Sequence, residues 1–535
     1  MRLIDGKWRQ IAITAVAGAG ACALAACGSG GSSTPAATNS PGQQASGKAV
    51  AGDTLTIASS TAPISLNPAI NGNGVPLDWF DTLAYEPLIV RQGNNTETPG
   101  LATSWKYSNG NKTFTVQLRP NVKFTDGTPL TAAAVVKWIE YYKAKGTFAF
   151  NLAALASVKA TGPLQVTFNL STPDPLYEYY LDQEGVVGDI PSAAATADPA
   201  KLTTSTDGAG PYELDAAATV TNSSYVYVRN PSFWDPSQQH WKKIIVKIIT
   251  NTNSTLAAMQ SGQVQVAIGD ATTAASAASA GLVVTAHSGG VTGVVIADRL
   301  GTIDPALKNV QVRQALNYAI NRKGLTQTIY GNYGAPTDQY KPAGTDGYLA
   351  SLESQYPYDP AKARKLLASA GYPHGITFKV LVQPGVPGGT LLAQAMVQEW
   401  AAIGVKAILV TPPTFSDYAT DAFSKKYAAT TFVYDYQPFI WEANELFSPT
   451  GVYNFLGVVN SQVDSLRAQI NALPLGSAQS DALEQKLMTL TVQQALSVPA
   501  SATDAIIYSA KNIGGISYSG SFPVPNPTDW YQTGS

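Results

Sequence analysis

The sequence predicts an α/β fold built from more than one domain. Three observations lead to this prediction: the chain has 535 residues, 45% of them are hydrophobic, and strand and helix patterns alternate beyond residue 50 without an internal repeat. The length is enough for three or four domains of about 150 residues each. The hydrophobic share is enough for sizeable cores. Mixed strands and helices over such a length imply α/β lobes.

The first elements of this fold begin with a short strand, in which Leu55 and Ile57 alternate with threonine. A further strand is predicted at 112–119 (KTFTVQLR), because alternate residues are apolar and would share one face of a sheet. The turn 126–129 (DGTP) follows it. The next helix is predicted from apolar residues at helical spacing, namely Val135, Trp138, Ile139 and Tyr142.

The region around Asp359 predicts a helix with both ends marked. Asp359 can accept a hydrogen bond from a free backbone amide, Pro360 suits the first turn, and Gly371 supplies a left-handed stop. The apolar stripe of this helix comprises Leu366, Leu367 and Ala370. The predicted elements that follow are a strand at 377–382, a helix ending at Ile403, a turn at Gly404 and a strand at 405–410.

The charge and the reactive residues argue against several classes of function. The 34 basic residues do not exceed the 36 acidic ones, so nucleic-acid binding is not expected. The chain has three histidines far apart, His240, His287 and His374, and two cysteines, Cys22 and Cys27. Motifs of serine hydrolases, P-loop NTPases and zinc proteases are absent from the sequence. We therefore predict a protein that is not an enzyme and uses no cofactor or metal. An envelope hydrolase is the alternative, because a catalytic pair of carboxylates can be assembled from distant segments and leaves no local motif.

The N-terminus predicts an export signal followed by a tether. A basic start precedes an apolar run over 11–26 that is too short to span a bilayer. The run ends in Leu-Ala-Ala-Cys at 24–27, which resembles the lipobox of bacterial lipoproteins. That resemblance implies a signal peptide at 1–26, lipidation of Cys27, and a flexible lipid-anchored linker at 27–50; an ordinary signal with a chance cysteine is the alternative. The predicted location is the extracytoplasmic face of the bacterial cell membrane.

Five ordered sequence blocks resemble a known family. They are 99–136 (PGLATSWKYSNGNKTFTVQLRPNVKFTDGTPLTAAAVV), 207–212 (DGAGPY), 229–234 (RNPSFW), 309–322 (NVQVRQALNYAINR) and 398–409 (QEWAAIGVKAIL). These blocks are similar to the extracellular solute-binding proteins of family 5, the dipeptide- and oligopeptide-binding group that serves ABC importers. Two positions depart from the family pattern, since Asn321 and Gln265 stand where an aspartate is common.

The resemblance implies a two-lobed fold of the periplasmic-binding-protein type II class (cluster C), with an extra subdomain on lobe I. Lobe I would comprise 51–85, 212–300 and 510–535, the extra subdomain 86–211, and lobe II 301–509. A ligand bound between the lobes would stabilise their closed arrangement.

The resemblance also suggests ligand-binding residues. Asp435 aligns with the aspartate that pairs with the α-ammonium of peptides in the family; capping the next turn is its alternative role. The other candidates are Phe432, Tyr434, Tyr436, Trp441, Phe415 and Asn67. For the alternating aromatic residues the alternative is a place in the core, and for Asn67, which precedes a proline, it is a simple turn.

These features together predict a membrane-tethered receptor that captures an extracellular solute, most readily a peptide, and delivers it to an ABC permease and ATPase complex. We expect a monomer. The stretch 427–441 contains no arginine that could bind a peptide carboxylate. The alternative ligands are therefore a longer peptide or a neutral oligosaccharide, which would stack on aromatic rings. A sensory receptor is an alternative role for the same fold.

Overall fold

The computed structural model describes residues 48–71, 76–92, 96–434, 437–516 and 525–534. The strands, in chain order, are β1 (Ala49–Val50), β2 (Gly52–Ser59), β3 (Ile89–Arg91), β4 (Glu97–Pro99), β5 (Ala102–Ser108), β6 (Thr113–Leu118), β7 (Leu155–Gly162), β8 (Gln165–Leu170), β9 (Tyr212–Leu214), β10 (Ser224–Arg229), β11 (Trp241–Ile248), β12 (Val266–Gly269), β13 (Val283–Ile296), β14 (Gly334–Pro336), β15 (Thr377–Leu381), β16 (Lys406–Val410), β17 (Ala429–Tyr434), β18 (Ser497–Ser509), β19 (Ile513–Gly514) and β20 (Tyr531–Thr533).

Helices cover the faces and ends of the sheets. The α-helices are α1 (Pro68–Asn71), α2 (Asp78–Ala84), α3 (Ala132–Lys145), α4 (Tyr177–Tyr180), α5 (Ala193–Ala197), α6 (Thr252–Gln260), α7 (Ala274–Ser279), α8 (Val310–Tyr318), α9 (Arg322–Ile329), α10 (Pro360–Ser369), α11 (Gly389–Ala401), α12 (Phe415–Phe423), α13 (Phe439–Phe447), α14 (Ser461–Asn471) and α15 (Ala478–Gln493). Short 3-10 turns occur at Ala149–Leu152, Lys201–Thr203, Pro236–Gln238, Pro305–Lys308, Ala350–Leu352, Val452–Asn454 and Pro527–Asp529. Across the described residues, no helix is both long and apolar enough to cross a bilayer. The mixture of strands and helices agrees with the α/β prediction.

Two long antiparallel strands, β13 and β18, organise the largest sheet. Its order is β16-β15-β17-β13-β18-β12-β2-β11-β10-β9, with β14 also paired to β18. On one side, β2, β11 and β12 run parallel and form a first parallel group, which joins β18 through β12. On the other side, β15, β16 and β17 form a second parallel group, which joins β13 through β17. The strands β13 and β18 therefore connect the two parallel groups within one sheet.

The pairing of β13 with β18 is interrupted at the middle. Its register shifts between Ser288 and Val291 and again between Thr292 and Gly293. Such irregularities bend and twist a strand pair locally. The bend falls where the pairing partners change from the first group to the second. The predicted lobe boundaries at 300/301 and 509/510 stay a prediction. The strand pairing shows in addition that β13 and β18 lie between the first and the second parallel group.

A separate antiparallel sheet occupies the predicted subdomain region. Its order is β5-β6-β8-β7, and α3 packs against it through the buried side chains of Val135, Trp138, Ile139 and Tyr142. These four residues are the stripe predicted from the sequence. The alternation predicted at 112–119 is also confirmed, because the alternate apolar residues of β6 are buried.

The helix predicted at Asp359 is α10, and its capping is confirmed. The Asp359 side chain accepts a hydrogen bond from the backbone amide of Lys362 at 2.8 Å, and Gly371 has a φ of +94° just beyond the end of the helix. The predicted stripe is confirmed, because Leu367 is buried and Leu366 and Ala370 are half-buried against the core; Ala363 is a further buried residue of this helix. The strands that follow are β15 and β16, one residue shorter at one end than predicted.

Candidate functional site

The carboxyl ends of both parallel groups border one cavity. It has a volume of about 260 Å³ and is lined by Ser60 after β2, Asp270 after β12, Pro387 in the loop after β15, and Val433 in β17. The middle parts of β13 and β18 complete its wall. In open α/β sheets, ligands bind outside the carboxyl ends of the strands. The cavity is therefore the candidate ligand site.

A second cavity of about 300 Å³ adjoins the first. It extends along the ends of β11 and β12 toward α6 and α11. The residues that line both cavities are Ser60, Ile268, Gly269, Asp270, Ala271, Tyr330 and Pro387. We call the two volumes together the cleft. It offers space for a solute rather than for a single ion.

Asp270 is held by its own turn at the end of β12. Its Oδ1 accepts hydrogen bonds from the backbone amides of Thr272 at 2.8 Å and Thr273 at 3.0 Å. The Tyr508 hydroxyl donates to the Asp270 carbonyl at 2.7 Å. These contacts orient the carboxylate at the cleft and leave its second oxygen free of hydrogen bonds among the described residues.

Tyr330, which directly follows α9, also lines the cleft. Its hydroxyl is buried and has no hydrogen-bond partner in the described part of the chain. Gly388, with a φ of +69°, makes room for this ring, because a Cβ there would lie 2.6 Å from Tyr330 Cε1. A polar group buried without a partner is costly unless a ligand or water supplies one. Tyr330 is thus available for hydrogen bonding with a solute.

Asp504 lies on β18 where this strand crosses between the groups. Its backbone amide donates to the Tyr333 carbonyl at 2.9 Å, and its side chain lines the cleft. Burial raises the pKa of the Asp504 carboxyl, and His287 on the neighbouring strand opposes that rise. The carboxylate makes no hydrogen bond or ion pair within the described ranges.

The predicted aromatic residues of β17 lie on its other face. Phe432 and Tyr434 are 1% and 5% exposed and belong to the largest core cluster, whereas Val433 between them lines the cleft. The predicted placement of Phe432 and Tyr434 on one face of the strand is confirmed by this burial. Ligand contact by Phe432 and Tyr434 stays a prediction, and Val433 is a cleft residue that sequence reasoning missed.

Trp441 on α13 connects β17 with the predicted subdomain. Its ring meets Tyr434 edge-on with centroids 5.9 Å apart, and Tyr179 at 6.0 Å. The indole N–H donates to Asn151 Oδ1 at 3.1 Å. Trp441 therefore joins β17 to residues of the predicted subdomain region; its role toward a ligand stays a prediction.

Among the remaining predicted residues, the structure describes the side chain of Asn67. Asn67 is buried, accepts a hydrogen bond from the Ala69 amide at 3.0 Å, and donates to the Tyr141 hydroxyl at 2.9 Å, which is a turn-stabilising role. Cys27, Asp435, Tyr436 and the side chain of Phe415 lie outside the described residues.

A buried ion-pair network holds the chain just after 435–436. Lys341 Nζ contacts Glu442 Oε1 at 2.9 Å, Asp346 Oδ1 at 3.1 Å and the Gln437 carbonyl at 2.7 Å. Burial alone would lower the pKa of Lys341, but Asp346 and Glu442 outweigh this effect and raise it to about 12. Lys341 is therefore charged and positions the start of α13.

Asp270, Tyr330 and Asp504 were also missed by sequence reasoning. The signal that could have found Asp270 is its position directly after a buried strand. Within the described residues, no three histidine, cysteine or acidic side chains are grouped so as to hold a metal ion.

Comparisons with known proteins agree with this arrangement. The family model "Bacterial extracellular solute-binding proteins, family 5 Middle" matches residues 96–456. Heme-binding protein A of Haemophilus influenzae is 25% identical over 418 residues, which cover 72% of this chain and 74% of that protein. Glutathione-binding protein GsiB of Escherichia coli K12 is 28% identical over 428 residues, 74% of this chain and 80% of that protein.

Solved structures show the same fold. The binding protein AgaA of A. tumefaciens R10, in complex with agropinic acid, superposes with a TM-score of 0.78 at 21% identity, covering 90% of this chain and 99% of that one. DppA of Helicobacter pylori, in complex with the peptide STSA, gives 0.76 at 18% identity, covering 91% and 99%. The predicted periplasmic-binding-protein fold is confirmed, and the chain belongs to the bacterial extracellular solute-binding proteins of family 5.

Proposed function

We propose that this protein captures an extracellular peptide in the cleft and delivers it to an ABC importer. The observation that carries the proposal is the cleft itself, which lies at the carboxyl ends of two parallel groups joined by β13 and β18. A solute there would contact both groups at once and so favour their closed arrangement. The two groups correspond to the proposed lobes I and II.

A peptide is favoured by the alignment of Asp435 with the ammonium partner of the family. Relatives are named for heme and glutathione, and one structural neighbour holds a peptide. A neutral oligosaccharide is the second candidate, supported by the aromatic rings of Tyr330 and Tyr333, which line the cleft. A sensory rather than a transport role would use the same capture step.

If the protein captures a peptide between its two lobes, binding should make the protein more compact. When ligand-free protein is mixed with a pancreatic digest of casein, we expect a smaller radius of gyration by small-angle scattering. We also expect stabilisation of about 2.7 kcal/mol once a bound component reaches a hundredfold excess over its Kd. Mass spectrometry of the washed complex identifies that component. Retention of a digest component at saturation with an unchanged radius would contradict closure, and retention of nothing would contradict peptide capture.

A lipid anchor at Cys27 is part of the proposal. Two acyl chains give durable membrane attachment, whereas one is marginal. Cys27→Ala should therefore move the protein from the detergent phase to the aqueous phase in a partitioning assay, or leave the signal uncleaved. Cys22→Ala is the matched control, because it removes the other cysteine of the chain from the same segment. Equal partitioning of Cys27→Ala and wild type, with the signal cleaved in both, would contradict the anchor.

A further inference from the structure

The charges that line the cleft are all of one sign. Asp270 and Asp504 are its acidic side chains, and neither cavity has a lysine, arginine or histidine among its described lining residues. His287 lies on the strand next to Asp504 but does not line the cleft. A solute in the cleft would thus meet carboxylates and no cation from the described chain.

The sequence of the interior segments outside the described residues adds no cation. These segments read GNGV at 72–75, GNN at 93–95, DY at 435–436 and SYSGSFPV at 517–524. Their single charged residue is Asp435, which is acidic. The excess of negative charge therefore does not depend on where these segments lie.

Both cleft carboxylates are available to a ligand. The Asp504 carboxylate has no hydrogen bond or ion pair within the described ranges, and one oxygen of the Asp270 carboxylate is likewise unused there. The buried hydroxyl of Tyr330 is a third polar group without a partner in the described chain. The three groups come from β18, the end of β12 and the end of α9, so a bound solute would join the first parallel group to one of the long strands and to α9.

An anion in such a cleft would lose its water and gain no counter-charge. Burying an unpaired charge is costly, and a like charge nearby adds to the cost. An ammonium or guanidinium group would instead form charge-assisted hydrogen bonds with the carboxylates. We infer that the cleft selects a cationic solute, one that presents an amine or guanidinium group to Asp270 and Asp504 and places no carboxylate there. The inference rests on the proposed capture function.

Three alanine tripeptides that differ only at their ends test this selectivity. They are the amine with an amidated C-terminus, the acetylated amide, and the acetylated acid, with charges of about +1, 0 and −1 at neutral pH. We expect isothermal titration of the mature chain to show the cationic peptide binding at least about tenfold tighter than the neutral one, with a preference that shrinks as salt is added. The acid should bind most weakly.

Variants assign the preference to the cleft. Asp504→Asn and Asp270→Asn should each reduce the advantage of the cationic peptide over the neutral one by about tenfold. Asparagine keeps an oxygen for the turn at Asp270, and thermal unfolding checks that each variant is folded. Asp198→Asn is the control for net charge, since Asp198 is exposed and only 3.7 Å from Lys201 in a surface pair.

Three results would overturn the inference. They are an acid that binds as tightly as the amine, an amine that does not bind, and an advantage of the amine that survives in both cleft variants. The casein-digest experiment separates these results from a failure of capture. If a digest component is retained and compacts the protein, the capture function stands and only the selectivity is wrong.

Discussion

Asp435→Asn should weaken the binding of a free-amine peptide by two or more orders of magnitude. In the proposed complex, the ammonium of the peptide leaves water on closure and needs a charged partner. Asparagine preserves the shape of the side chain and removes the charge. Breaking one side of a buried ion pair costs about 3–5 kcal/mol, which exceeds a hundredfold in Kd.

The matched measurement uses the acetylated form of the same peptide. An ordinary hydrogen bond contributes about 0.5–1.5 kcal/mol, so its loss in the variant should stay within roughly tenfold. Isothermal titration of wild type and Asp435→Asn with both peptides gives the comparison. If the free-amine peptide also loses less than tenfold, Asp435 is not the ammonium partner, and the double variant with Asp504→Asn shows whether Asp504 takes that role.

Local features of the fold could be predicted because interactions between residues close in sequence determine them. The Asp359 cap, the apolar stripe of α3 and the alternation in β6 each depend on residues within a turn or a strand of one another. The division of β13 and β18 between two strand groups could not be predicted in the same way. It depends on pairing between segments about two hundred residues apart and on shifts of register.

The cleft was harder to predict for the same reason. Asp270, Tyr330 and Asp504 line one cavity because the end of β12, the end of α9 and the middle of β18 come together in the fold. In β17, alternation separated Val433 from Phe432 and Tyr434, but it could not tell which face borders the cleft. The aromatic face entered the core instead, where Trp441 and Tyr453 pack against Tyr434.

Lys341→Met should destabilise the protein by about 3–5 kcal/mol, because it leaves Glu442 buried without its counter-charge. Both side chains of this pair are 0% exposed, and Lys341 also holds the Gln437 carbonyl two residues after Asp435. Urea unfolding at neutral pH measures the loss. The double variant Lys341→Met with Glu442→Gln should recover much of it, because the carboxylate that still lacks Lys341 is Asp346, whose side chain is 42% exposed and reaches water.

The exposed pair of Lys242 and Asp53 provides the control for this prediction. Its atoms are 2.7 Å apart, closer than the 2.9 Å of the buried pair, but the side chains are 69% and 84% exposed. Water and salt screen such a pair, so Lys242→Met should cost far less stability than Lys341→Met. Equal losses in the two single variants would mean that burial does not strengthen the Lys341 network. A large loss for Lys341→Met alone, together with weaker peptide binding, would instead identify this network as the support that holds the chain after Asp435 in position for a ligand.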